Sequence, residues 1–526
     1  MKVSKRVLVG VTVVALATVL ALLSTASAQG PVTDRAASRQ VNWSALDKVD
    51  ALKDALQKAD FSLQQGGFTY WDLVKETCQG HLPDTLANNP WPNVYLVLQF
   101  PAHPGVKQPL VDRYWQLRED EAIVLVGNTP PSVRFFSYQT FMITLPGSAV
   151  RISAAVGDSI NIGTIKTIGP DKFNKPIVYI ITGNRETERQ IRAAALKAGY
   201  PDAIINVETI SPVIAPLGIG DKGSWLAFGH RVAVPLDKTA VEYYARNPPY
   251  QVFRVTPDRP LRNDPEPVPV LRPRGTGHTE MALYPSLDKL RQAIIDKHAS
   301  MSAKELDTKV WELTTPDGRE LNCEKPYVGL QRRIQPIGCT RDTNYLATYP
   351  NFRLRDGKDE FVIVYGVNHQ TTGKATYTSF SIYADKDRWL GLKDGTTTSN
   401  NYDANGQPGD SARRFLCPDD PSQCPEDVRN LYAWKVARQC KAEDMPYCMQ
   451  VKEEFVSLDN QPYQCNLFDW YKDPENPPLI GTFDINLADM FFLWRGYMEP
   501  ATKVGPDDNE LLYDRAIYFG PYFNEP

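Results

Sequence analysis

Histidine, long apolar runs and a surplus of basic charge are all scarce in this chain of 526 residues. Its six histidines are His81, His103, His230, His278, His298 and His369, and no two stand at the spacing of a helix-borne or strand-borne metal pair. That removes the common transition-metal signatures, which need paired imidazoles or thiolates at fixed offsets. Beyond the first 28 residues no segment is apolar for long enough to span a bilayer. Once residues 1–28 are removed, 55 Lys and Arg face 62 Asp and Glu, a net charge of −7. No nucleic-acid partner is expected, because displacing counterions from phosphates needs a basic surface. There is no Cys-x-x-Cys knuckle and no Gly-x-Ser-x-Gly elbow. Zinc ribbons and α/β-hydrolases therefore have no anchor.

The start of the chain has the form of an export signal. Lys2, Lys5 and Arg6 precede an apolar run over 7–23, and Ala26-Ser27-Ala28 has the spacing a signal peptidase needs, which places cleavage before Gln29. A retained anchor is the alternative. Export implies a secreted or periplasmic protein, where disulfides persist. Seven of the eight cysteines lie in the second half and Cys78 stands alone near the start. If all pair within the chain, Cys78 must cross to the second half. Eight cysteines allow 105 connectivities. The local pairs Cys323 with Cys339, Cys417 with Cys424 and Cys440 with Cys448 leave Cys465 for Cys78.

A hydrophobic fraction of 42% with 10% aromatic residues is ample for packed cores. Ser44 can cap a helix carrying Leu46, Val49, Leu52 and Leu56, and a short helix over 70–77 delivers Cys78. Strands are predicted over 94–100, 122–127, 135–144 and 150–156. The stretch 175–257 then reads β-α-β-β-α-β, the ferredoxin-like order. Its helices begin at the caps Asn184 and Asp237, and Gly199 suits a left-handed exit from the first. The strand over 177–182 is apolar on both alternating faces, so it must be covered on both sides and the unit needs the strands before it. Six prolines between Pro257 and Pro273 mark a stiff linker over 257–277.

The expected organisation is a signal peptide (1–28), an N-terminal α+β domain (29–256), the linker, and a strand-rich, disulfide-containing second domain with a few helices (278–526). In that second part, Ser286 opens a helix. A capping box at Ser302 and Glu305 predicts another through Leu313, and Leu487, Met490, Phe491 and Trp494 predict a third over 487–494. One internal echo links the halves. Asp120-Glu121-Ala122-Ile123-Val124 runs to Gly127-Asn128, and Asp359-Glu360-Phe361-Val362-Ile363 runs to Gly366-Val367-Asn368, each before an aromatic-rich strand. Two convergent hairpins using Gly and Asn at their turns account for this more simply than duplication.

Candidate chemistry falls on few residues. Alternation puts His230 on an apolar strand face with Phe228 and Val232, where it is either a satisfied core histidine, a general base, or an axial ligand to haem. Arg231 points the other way, where it either holds an anion or, more simply, snorkels to water. His369, with Asn368 beside it, sits at a predicted hairpin turn, the first place to look for a site in the second domain. Gly157-Asp158-Ser159-Ile160 matches the short nucleophile block of the SGNH esterases and lipases. No histidine has Asp three residues before it, however, and a Gly-Asp turn explains the block without catalysis. Asn401, Asp403 and Asn405, with Asp410 nearby, make an incomplete calcium loop. The leading expectation is an extracytoplasmic enzyme acting on a small molecule or polymer with a histidine acid or base. The alternative is a secreted, non-catalytic binding or surface protein with an aromatic ligand face.

Overall fold

The computed structural model describes residues 44–79, 93–103, 106–107, 113–148, 153–311, 313–314, 320–321, 340–384, 390–396, 410–417, 424–452, 455–456, 462–463, 465–468, 479–482 and 484–521. Ser44–Pro526 forms one compact unit. It is a mixed α+β fold of two curled, half-barrel sheets with few helices.

The first sheet contains β1 (Phe61–Tyr70), β2 (Val94–Gln99), β3 (Ala122–Asn128), β4 (Val133–Thr144), β5 (Ala154–Ala155), β6 (Ile160–Asn161), β7 (Pro176–Thr182), β8 (Ile205–Thr209), β9 (Trp225–Pro235) and β10 (Tyr250–Pro257). Their order is β5-β4-β9-β2-β1-β10-β3-β7-β8, with β6 also on β4. The second sheet contains β11 (Ala303–Val310), β12 (Leu346–Tyr349), β13 (Phe361–Val367), β14 (Tyr377–Ala384), β15 (Leu390–Thr396), β16 (Leu431–Ala437), β17 (Cys448–Gln450), β18 (Met490–Tyr497) and β19 (Arg515–Phe519). Their order is β15-β14-β18-β12-β11-β19-β13-β16-β17.

The two orders are the same topology. Taking β1 with β11, β2 with β12, β3 with β13, β4 with β14, β5 with β15, β7 with β16, β8 with β17, β9 with β18 and β10 with β19, every neighbour relation repeats. The parallel pair at one end of each sheet repeats too. Register then defines equivalent residues. Leu96 faces Tyr70 and His230, while Leu346 faces Val310 and Trp494.

Features that the ladders do not impose also coincide. Trp71 N donates to Tyr95 O, and the equivalent Trp311 N donates to Tyr345 O, each at 2.9 Å. Thr129 N donates to Lys175 O, and Asn368 N to Asn430 O, at 2.9 and 2.7 Å. Val234 and its equivalent Met498 both hold a left-handed φ, 56° and 45°, which a side chain rarely adopts and a β-branched one least of all. The Asp-Glu echo is thus one part of an internal repeat, and the convergent-hairpin expectation is corrected. Its glycines serve another purpose than turn geometry. A Cβ on Gly127 would lie 2.3 Å from Pro249 O, and one on Gly366 would lie 2.6 Å from Asp514 Oδ1.

The β-α-β-β-α-β order of 175–257 is present, but the ferredoxin-like unit is not confirmed. A split arrangement inserts a strand between the two parallel strands. Here β8 lies directly beside β7 and parallel to it, while β9 pairs with β2 and β4. The expected cover on both faces of β7 is observed, since all seven of its residues are buried.

Helix α1 (Val49–Gln57) packs beside α3 (Arg185–Lys197), which Asn184 caps through Glu186 N and Thr187 N. Helix α4 (Lys238–Arg246) lays Val241, Tyr244 and Ala245 into the first core. Helix α5 (Tyr284–Lys297) lays Leu287, Leu290 and Ile294 against β13. Two predicted helices are strands. Ser302 precedes β11 and Glu305 lies within it, paired with Arg291 of α5 instead of capping. The stretch predicted as a helix over 487–494 contributes to β18, whose eight residues are all buried. A strand covered on both faces shows no alternation, so its apolar run mimics a helix stripe.

The halves meet through equivalent surfaces. One cluster consists of Phe135 with Tyr377, Ala233 with Tyr497, and Val234 with Met498, three pairs of equivalent residues. The rings of Tyr377 and Tyr497 stack at 4.4 Å. Such a self-complementary contact is what two copies of one unit make about a twofold axis. Residues 257–277 run across both halves as a strap. Arg185 N donates to Asp264 O in the first, and Arg274 donates to Thr343 O and Pro506 O in the second.

The short helix α2 (Leu73–Cys78) reaches from the first half into the second core, where Cys78 is bonded to Cys465. Cys417 with Cys424 and Cys440 with Cys448 are also bonded. Cys323 and Cys339 lie outside the described residues. Among the described residues, no helix is long and apolar enough to cross a membrane.

Candidate functional site

The first sheet curls until its end strand β8 approaches β4, and a glutamate joins them. Thr140 N lies between the rungs that pair β4 with β6 and β5 (Ser137 with Asn161, Phe141 with Ala155). Glu208 of β8 supplies the acceptor there. Its Oε1 accepts from Thr140 N at 2.6 Å and from Gln139 Nε2 at 3.4 Å; Oε2 accepts from Thr140 Oγ1 at 2.8 Å and Tyr179 OH at 3.1 Å. Glu208 is 5% exposed. Burial raises its pKa to about 7, against the opposing pull of these hydrogen bonds.

Glu208 lines a cleft of about 460 Å³ between β8 and the segment 156–160, walled also by Arg192 of α3 and by Pro269, Val270 and Arg272 of the strap. Asp158 is fixed on its wall, accepting from Arg341 Nε at 2.6 Å and Arg272 N at 2.7 Å. Ser159 donates to the buried Asp342, which also accepts from Asn161 Nδ2 at 3.0 Å. The cleft lining contains no histidine, so the Gly157-Asp158-Ser159 block has no imidazole to activate its hydroxyl. A carboxyl that titrates near neutrality in a polar cleft is suited to give or take a proton. Lys166, Arg192 and Arg272 also line the cleft, Arg192 paired with Glu188 and Asp202 and Arg272 at 3.6 Å from Asp158.

The residues singled out from sequence lie elsewhere. His230 is wholly buried in the first core, stacked on Tyr138 at 4.0 Å. Its Nδ1 faces the carbonyl of Ser137 at 3.0 Å and so carries the proton; Nε2 then accepts from Tyr244 OH at 3.0 Å. Tyr244 OH lies 3.1 Å from Tyr250 OH, which lies 2.8 Å from Tyr138 OH. Burial pushes the ring pKa down to about 3 despite the Ser137 bond, leaving it neutral. Both nitrogens are engaged, which leaves none for a haem iron, and neither faces the cleft.

His369 lies in the turn after β13, as expected, but β13 and β14 are not paired with each other and the ring is buried. Its Nδ1 donates to Glu280 Oε1 at 2.8 Å and its Nε2 to Asp514 Oδ2 at 3.3 Å. Burial alone would lower its pKa, but the two carboxylates outweigh it and raise it to about 10. It is a cationic clasp between the strap end and the start of β19. Asn368 is buried beside it, with its Oδ1 accepting from Gln370 N at 3.2 Å. Asn401, Asp403 and Asn405 lie outside the described residues, and Asp410 is the first residue of helix α6 (Asp410–Leu416). Among the described residues, no group of three or more His, Cys, Asp or Glu side chains is placed to hold a metal ion.

Sequence reading passed over Glu208. Its trace was two polar residues, Asn206 and Glu208, on one face of an otherwise β-branched strand.

No protein-family model matches the chain, and no curated protein matches it. Among solved structures, it is similar to a putative uncharacterized protein from Burkholderia cenocepacia at 10% identity, covering 90% of this chain and 95% of that one with a TM-score of 0.34. The partial N-terminal region of an enterococcal surface protein aligns at 10% identity over 86% and 92% of the two chains, with a TM-score of 0.15. Likenesses this faint carry no argument about fold or function.

Proposed function

We propose that this is an exported enzyme whose working site is the Glu208 cleft, where the glutamate acts as general acid and base on a small polar molecule or a polymer segment. The first 28 residues serve as the signal, and the disulfides suit an oxidising compartment. The observation that carries the reading is a buried carboxyl at the floor of an open cleft with its pKa near 7, the condition for efficient proton transfer at neutral pH. Asp158 and the basic side chains of the lining supply fixed charges for orienting a polar substrate.

The test is a panel of chromogenic glycosides and esters assayed with the wild type and Glu208→Gln. Turnover with a pH profile breaking near 7, and its loss in the variant, supports the proposal. Turnover that the variant retains in full refutes it.

A second reading is a secreted, non-catalytic binding protein. In its favour, the acceptor positions of Glu208 are occupied by its own chain. An aromatic ligand face is the weaker form of this reading, because the strand aromatics point into the two cores. Cleft binding without turnover, unchanged in Glu208→Gln, would decide for it.

A further inference from the structure

Arg231 of β9 and Arg495 of β18 occupy equivalent positions and both are buried, at 9% and 1% exposure. Their surroundings differ. Arg495 Nη1 donates to Ser381 Oγ at 2.9 Å and its Nη2 to Tyr383 OH at 2.6 Å. The ladder positions of Ser381 and Tyr383 are held in the first half by Gln139 and Phe141. Phe141 has no hydroxyl, and the Gln139 amide is turned to Thr140 O at 3.1 Å and to Glu208. Arg231 therefore lacks both partners that its counterpart has.

What surrounds Arg231 is aromatic. Its guanidinium lies over the rings of Tyr95 and Tyr497, at 4.9 and 4.6 Å from their centroids. Its Nη1 has no hydrogen-bond partner, and neither has the hydroxyl of Tyr95. No carboxylate of the described residues pairs with it. Arginine does not shed its proton, so the charge cannot be relieved by titration. A buried cation is stable only when paired. The charge of Arg495 across the same seam makes the need greater.

We propose that Arg231 and Tyr95 form a binding site for one small oxyanion, a carboxylate, sulfate or phosphate, in the seam between the two halves. The planar fork of the guanidinium matches two oxygens of such an ion, and Tyr95 OH supplies a further donor. The aromatic rings on either side exclude water and strengthen the pairing. The site is separate from the Glu208 cleft. It arose where the halves diverged, from a position that Tyr383 satisfies internally in the second half.

The experiment is calorimetric titration of the mature full-length protein with sodium acetate, sulfate and phosphate at constant ionic strength, with thermal melts alongside. The wild type is expected to bind one equivalent of at least one anion, with a saturable rise in Tm. Phe141→Tyr places the hydroxyl that the second half already uses. It should raise the anion-free Tm and weaken binding at least tenfold, and Arg231→Met should abolish binding. Should Arg231→Met fail to fold, Phe141→Tyr decides alone. No saturable binding by the wild type, or equal binding by Phe141→Tyr, would overturn the proposal and leave Arg231 held by its aromatic contacts alone.

Discussion

Replacing His369 by Gln should remove one of the most strongly held charges in the molecule. The ring and its two carboxylates are each about 1% exposed. Thr372 Oγ1 and Leu512 N also donate to Glu280, and Tyr432 OH donates to Asp514. Raising the histidine from 6.5 to about 10 corresponds to a ceiling of about 5 kcal/mol at roughly 1.4 kcal/mol per unit. Breaking a buried pair costs about 3–5 kcal/mol, because it strands the remaining charge. His369→Gln should therefore lose about 3–5 kcal/mol at pH 6. The folded state holds this proton more tightly than the unfolded one. The stabilisation is complete below pH 6.5 and is lost as pH rises through about 10. Glu280, which the histidine's charge and its hydrogen bonds hold below its ordinary value despite burial, adds an opposite loss in acid. Urea unfolding followed by tryptophan fluorescence at pH 6, 8 and 9.5 should show the gap between wild type and variant shrinking to about 1 kcal/mol at the highest pH. A gap that is already small at pH 6, or that is the same at pH 9.5, would refute the clasp.

Other expectations follow from single features. Glu208 binds its proton more tightly folded than unfolded, so wild-type stability should fall by about 3 kcal/mol between pH 4.5 and 7 through this group. Denaturation of Glu208→Gln across that range should lack this slope. Cys465→Ser, which opens the link to Cys78 across 387 residues, should cost about 3–5 kcal/mol, read as a lower urea midpoint; an unchanged midpoint would deny the link a role. Gly127→Ala and Gly366→Ala place a methyl against the first residue of β10 and beside that of β19, and each should cost about 1–3 kcal/mol. A harmless change at either would undo the argument that the two glycines do one job.

The sequence carried the parts of this fold that depend on local rules. Asn184 and Asp237 cap helices as their side chains dictate; parity sent Cys78 to a partner in the second half, and pairing the neighbouring cysteines first left Cys465. It hid what depends on long-range pairing. β18 is buried at every position, so no periodicity separated it from a helix. The repeat left only scattered identities as a trace, Asp-Glu and Gly in one strand and Trp71 with Trp311 or Arg231 with Arg495 elsewhere, because other equivalent positions such as His230 and Trp494 have exchanged chemistry while keeping register. Glu208 bridges to Thr140 across 68 residues, and its partners become visible only when β8 meets β4. His369 does lie in a turn, but its burial could not be read because Glu280, which covers it, comes from 89 residues earlier.

Acid–base chemistry in the cleft depends most directly on the carboxyl of Glu208. Carbon-13 NMR of glutamate-labelled protein, with Glu208→Gln to assign the resonance, measures its titration. The structure predicts a midpoint near pH 7. A midpoint near the ordinary glutamate value of about 4.3 would contradict it and remove the basis for acid–base chemistry in the cleft.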